Sequence, residues 1–350
     1  HATNARATIF EQGVSVVERS PGHRMKIVAL ALVACVLAVA SLLFGSADVS
    51  FRDLLRLLSH NDDPGLSTIV LDIRLPRTLL ALLVGAGVSA SGAAIQGMFR
   101  NPLADPALIG VSAGAALFAA IYVVLDGSQG LSLIGMTGSA FVGGLFTTWI
   151  VLVVGGRGGG LSTILLAGIA INAIALSGVG MLSYLSTDMQ LRSISFWALG
   201  SLNGANWVSV LLALAIPVVV FLIFLESRNL NVITLGDEEA EHLGVSHQKL
   251  RVRIVSLCAI AVGIGVALTG VIAFLGLVVP HLIRMTLGSN HRTVVPASAL
   301  LGGMLLLVAD VISRTILAPT ELPVGILTAL VGGPFFIYLI VVEQKGRLVI

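Results

Sequence analysis

The sequence predicts an all-α, polytopic membrane protein with about ten transmembrane helices. Three observations predict it. The 350 residues are 56% hydrophobic and 11% charged, with a mean hydropathy of +1.01, whereas a soluble domain carries about 25% charge. Apolar runs of about 20 residues recur along the chain, each long enough to cross a bilayer as a helix. Glycine is abundant, at 39 residues, while aromatics make up 5%, and small residues let membrane helices approach closely. A soluble fold or a nucleic-acid-binding module is excluded by this composition.

In order, residues 1–24 form a polar tail that is set aside from the fold, and residues 25–345 form the transmembrane domain. Residues 346–350 are a short tail. Spans are expected near 25–44, 77–98, 107–125, 131–154 and 161–184, then 208–225, 254–275, 277–287, 294–316 and 322–342. SFRDLLRLL (50–58) has helical spacing with one apolar and one charged face, as an interfacial helix requires. Loops are expected at 126–130 and 155–160. The segment 186–206 is polar, with Trp197 inside it and Trp207 at its far edge, and tryptophan suits the membrane interface. Residues 226–253 are the most charged stretch. With the N-terminus inside, about 14 of the 20 basic residues fall on the cytoplasmic side. Both ends are therefore expected in the cytoplasm.

The stretch 74–114 organises the chain. Arg74, Pro76 and Arg77 open an apolar run rich in Gly and Ser, which breaks at Arg100-Asn101-Pro102 and again at Asp105-Pro106. Irregular backbone at membrane depth is tolerated where it lines a cavity. A faint echo joins Gly85–Gly92 to Gly263–Gly270, with Pro102 and Pro280 at the same separation, as an inverted repeat would give. Composition alone also produces such echoes.

Several enzyme-like patterns dissolve on inspection. Gly110-Val111-Ser112-Ala113-Gly114 fits the nucleophile elbow, but it opens an apolar helix where no strand precedes it. Helix packing through Gly110 and Gly114 is the expected use. GGRGGGLST (155–163) lacks the G-K-[ST] ending of a phosphate loop. Cys35 and Cys258 sit in separate apolar runs and read as packing residues. The seven histidines are scattered, so no metal site is expected.

Two constellations point to function. LGDEEAEHLGV (235–245) places acids at the start of a short helix, where the dipole favours them, and ends it at Gly244. It reads either as a solvated loop helix or as a knob that docks into a partner. Arg74, Arg77 and Arg314 gather on the outer side, as topology anchors or as a grip for carboxylates of an acidic partner.

RLPR (74–77), GAGVSASGAAIQGMFRNPLADPALIGVSAGA (85–115), LGDEEAEHLGV (235–245), GVIAFLGLVVPHLIR (270–284) and TELPVGILTALVGGPFFIYL (320–339) occur in that order. Together they resemble the permease family of bacterial ABC importers for iron-siderophores, haem and vitamin B12. The resemblance runs from about residue 25 to 345. It implies a fold like the vitamin B12 importer permease, in the inner membrane, as a homodimer with the path between subunits. It implies two cytoplasmic ATPase subunits that bind ATP and Mg, and a periplasmic binding protein. The permease itself would hold no cofactor and catalyse no reaction.

By position, Gly236, Asp237, Glu238, Glu239, Glu241, His242 and Gly244 would form the ATPase-coupling helix. Arg74, Arg77 and Arg314 would dock the binding protein. Asn101 and Leu103, with Ser162 and Thr163, would form the cytoplasmic gate. The segment 187–202 resembles the haem-transporting branch, so haem is the expected cargo. A ferric siderophore or vitamin B12 is the alternative within the family. An ion-coupled secondary transporter would instead need a mid-membrane acid, for which Asp310 is the candidate.

Overall fold

The structure, a computed structural model, describes residues 21–45, 47, 49–59, 64–126, 133–156 and 160–347. The expected loops at 126–130 and 155–160 lie largely outside these residues, as does the tail up to residue 20. No strand occurs among the described residues.

Helix α1 (Pro21–Ser41) takes in the last four residues of the expected tail and leads to α2 (Phe51–Leu58). Ser50 and Asp53 close a capping box on α2, each side chain accepting from the other's backbone N–H. Its Phe51 and Leu55 are exposed, as on an interfacial helix. A helical turn (Pro64–Ser67) and a π-helical stretch (Thr68–Arg74) run directly into α3 (Leu75–Phe99). This segment therefore begins earlier than hydropathy alone predicts.

A 3-10 turn (Pro106–Ile109) precedes α4 (Val111–Asp126). Then come α5 (Leu133–Gly156), α6 (Leu161–Leu185), α7 (Asp188–Ala198), α8 (Trp207–Ala213) and α9 (Ala215–Leu225). Short α10 (Ser227–Ile233) and α11 (Asp237–His242) lead to α12 (His247–Thr269). The chain finishes with α13 (Leu275–Leu287), α14 (His291–Thr315) and α15 (Val324–Arg347). Six described helical segments are long and apolar enough to cross a membrane, and four shorter apolar ones bring the total to the expected ten.

Helix α3 is the axis of the bundle: 78% of the most apolar window of its segment is buried, against 22% for α6. Small residues make the crossings. A Cβ on Gly85 would stand 2.4 Å from the Gly302 carbonyl oxygen on α14, and one on Gly92 would stand 1.8 Å from that of Gly276 on α13. Backbones this close exclude any side chain larger than hydrogen. The same logic settles Gly110–Gly114. Gly114 faces Gly143 and Thr147 of α5, and Thr147 Oγ1 donates to the Gly110 carbonyl at 2.9 Å. The G-x-S-x-G pattern is a packing motif here. Cys258 is buried and Cys35 exposed, both as free thiols.

At the separation of the echo, 85–102 and 263–280 differ in local structure. Pro102 lies in the break after α3, whereas Pro280 lies inside α13. Glycine-rich helices resemble one another by composition.

Candidate functional site

The bundle has two polar ends. One carries α11 and the break after α3; the other carries Arg74, Arg77 and Arg314.

At the first end, Gly236 enters α11 with φ +137° and Gly244 follows it with φ +81°. Both conformations belong to glycine. The six-residue helix is thus a rigid piece between two turns that no other residue adopts cheaply. Ala240 is its buried foot, and Glu238, Glu239, Glu241 and His242 complete it. Glu241 meets His247 Nδ1 at 2.7 Å. Asp237 binds Arg251 of α12 and stands 3.2 Å from Arg100 Nη2. The expected coupling residues are therefore brought together on one exposed linker.

The expected gate splits into two places. Helix α3 ends at Arg100, which takes φ +51°, and Asn101 N–H then donates to the Gln96 carbonyl. Asn101 Oδ1 accepts from Leu103 N–H at 2.9 Å, which tightens the turn and leaves Leu103 exposed. Ser162 and Thr163 stand exposed on the first turn of α6.

Beyond this break, Asp105 caps the 3-10 turn, its Oδ1 accepting from Ala107 N–H at 2.7 Å. Burial pushes the Asp105 carboxyl above the usual carboxylate range, against that hydrogen bond. The break faces a second one, the non-helical residues 270–274 between α12 and α13. Phe274 takes φ +68°, a strained value for an aromatic residue. Between the two breaks lies a cavity of about 310 Å³, lined by Val88, Asp105, Pro106, Val266, Ile272 and Phe274, among others. It is almost wholly apolar.

A buried polar knot that the sequence reading missed joins the same end to α3. Arg284 Nη2 donates to the Ala93 carbonyl at 3.1 Å and lies 3.3 Å from His291 Nε2. His291 Nδ1 lies 2.7 Å from Asn231 Oδ1, so Nδ1 is assigned the proton. Asn231 and His291 are 60 residues apart, so the pair becomes visible only once α10 and α14 are known to meet.

At the second end, the expectation of outward arginines is corrected. Arg74, Arg77 and Arg314 are each 4–5% exposed. Arg74 donates to the carbonyls of Leu42, Leu43 and Ala47, which fixes the turn after α1. Arg77 grips Asp310 at 2.8 Å and Glu321 at 2.9 Å. Arg314 donates to the Ser41 carbonyl at 3.0 Å and lies 3.6 Å from Asp310. A buried guanidinium needs acceptors: carbonyls serve Arg74, Asp310 and Glu321 serve Arg77, and Asp310 with the Ser41 carbonyl serves Arg314. Asp310, the candidate ion site of a secondary transporter, is fully buried and already neutralised by two arginines. Among the described residues, no group of three or more His, Cys, Asp or Glu could hold a metal ion.

Known proteins share this sequence and fold. Residues 31–342 match the FecCD transport family. The hemin transport system permease protein HmuU of Yersinia pestis is 46% identical over 323 residues, spanning 91% of this chain and 96% of that protein. The vitamin B12 import system permease protein BtuC of Escherichia coli O127:H6 is 40% identical over 278 residues, 79% of this chain and 84% of that one. A solved inward-facing conformation of a metal-chelate type ABC transporter matches with a TM-score of 0.82 and 33% identity, over 91% of this chain and 99% of that one. A chain matched over nearly its whole length, with its apolar helices in the expected number, belongs to the FecCD transport family.

Proposed function

We propose that this chain is the permease subunit of an ATP-driven importer that moves haem into the cytoplasm. The observation that carries the cargo is the 46% identity to a hemin permease across 91% of the chain, against 40% over 79% for a vitamin B12 permease. The α11 end is cytoplasmic in this reading, since most Lys and Arg lie there. Two ATPase subunits dock on residues 236–244 and supply ATP and Mg chemistry. A second copy of the chain covers the apolar face of α6, where Leu166, Ile169 and Ile174 are exposed. Asn101, Leu103, Ser162 and Thr163 close the path on the cytoplasmic side. ATP biases a cycle between outward-open and inward-open states, and the cargo leaves unaltered.

Docking of a periplasmic binding protein on Arg74, Arg77 and Arg314 then requires exchange of internal partners. Glu321, with its side chain 29% exposed, is the carboxylate an incoming acid displaces most readily.

The test is uptake into proteoliposomes holding the permease with its ATPase and binding protein. ATP-dependent accumulation of haemin, with none of ferric siderophore or cobalamin, supports the reading. Uptake of one of the others instead reassigns the cargo. Uptake driven by an ion gradient without ATP hydrolysis overturns the importer.

A further inference from the structure

The geometry points to Arg100, Asp237 and Arg251 as an ionic joint that carries the movement of α11 directly to the Asn101–Leu103 turn. This rests on α11 being the ATPase contact.

Four observations meet here. The position after α3 has φ +51°, a place that normally selects glycine, yet it holds Arg100. A glycine would make the turn with less strain, so the side chain has a use that the turn does not explain. That side chain reaches Asp237, the first residue of α11. Asp237 divides its two oxygens: Oδ2 is hydrogen-bonded to Arg251 Nη2 on α12, while Oδ1 stands 3.2 Å from Arg100 Nη2. The first contact is directed, with Arg251 6% exposed; the second lies off the hydrogen-bond direction, with Arg100 38% exposed. One carboxylate thus anchors α11 to α12 and rests against the end of α3.

Gly236 and Gly244, both at positive φ, bound α11, so it is a discrete piece that the Asp237 contacts tie to its neighbours. Asn101 follows Arg100 directly, and its side chain holds Leu103. A displacement of Asp237 therefore acts one residue away from the turn. Arg100 is a positioning residue: it touches no cargo, and it links the element pushed by the ATPase to the element that blocks the path.

The experiment uses the complete complex in proteoliposomes. Arg100→Gly keeps the backbone turn and removes only the side chain. The expected result is wild-type assembly with the ATPase and a loss of about tenfold in haemin transported per ATP hydrolysed, the size of a typical coupling between sites. Asp237→Asn is expected to lose coupling too, and the double variant to be no worse than the more impaired single one. Wild-type transport per ATP in Arg100→Gly, or additive losses in the double variant, would overturn the joint.

If the unsubstituted complex moves no haemin, the cargo assignment fails and the joint is read separately. Arg100→Cys with Asp237→Cys, in a Cys35→Ser background, is then cross-linked with and without ATP. Cross-linking that depends on nucleotide supports a moving joint; equal cross-linking in both conditions overturns it.

Discussion

Arginines close on an aspartate at both ends of this bundle, and the two clusters differ in burial. Asp310 is completely buried between Arg77 and Arg314, whose side chains are 5–6% exposed. The side chain of Asp237, between Arg100 and Arg251, is 32% exposed. The first cluster ties α3 and α14 to the 316–323 loop, with Arg314 and Arg74 also holding the end of α1. Charge removed from water must stay paired, because breaking the pair leaves an uncompensated ion. The second cluster is wet on the Arg100 side, so that contact breaks and reforms at little cost while Arg251 keeps its hold on Asp237. A transporter needs both: an end that holds its shape and an end that yields.

The sharpest way to break that contrast is to remove Asp310. Asp310→Ala leaves Arg77 and Arg314 facing each other in the bundle, and is expected to destabilise the subunit by about 3–5 kcal/mol. Thermal-inactivation midpoints and yield in detergent check it. A variant as stable as wild type would mean that the cluster is no lock.

Next in size is Glu321→Gln. Arg77 keeps its contacts to Asp310, and the lost partner is partly exposed. The expected cost is about 1 kcal/mol or less, read by the same midpoint. A loss as large as that of Asp310→Ala would show that the loop, and not the helix pair, carries the cluster.

A smaller effect is expected at Asp105, in the break that follows Arg100. Burial raises its carboxyl in the folded protein above the unfolded value of 3.8. Between the unfolded and folded values the folded state holds a proton that the unfolded state lacks. Stability from this group is therefore present at low pH and lost as pH rises through that window. Asp105→Asn keeps an oxygen to cap Ala107 and removes the titration. Midpoints measured from about pH 4 to about pH 7 should flatten in the variant; an unchanged slope would assign the pH dependence elsewhere.

The sequence carried the spans well, because hydropathy needs only local composition. It also carried α11, where acids and two glycines mark start and stop within ten residues. It failed on the arginine trio for a physical reason. Arg77 and Asp310 are 233 residues apart, and a charge near a membrane edge reads as an anchor until its partner is known. Residues 270–274 escaped for the opposite reason. Only Gly270 interrupts an apolar run there, so the expected span 254–275 ran across the break, although the short span at 277–287 anticipated α13. Arg100 was counted toward topology, and its use became visible only with its φ angle.

That φ angle sets the smallest expected effect. Arg100→Gly loses an exposed ion contact, worth about 0–1 kcal/mol. It also relieves a left-handed backbone that costs a side-chain-bearing residue about 1–2 kcal/mol. The two changes oppose each other, and the second is the larger. The stability of Arg100→Gly is expected to equal or exceed wild type by up to about 1 kcal/mol, while transport per ATP falls. A midpoint well below wild type would mean that Arg100 braces the fold, and the yielding end would then be built like the locked one. A midpoint at or above it, with transport lost, separates the two ends by the one property that distinguishes them: the Asp310 cluster is needed to fold, and the Asp237 cluster is needed to move.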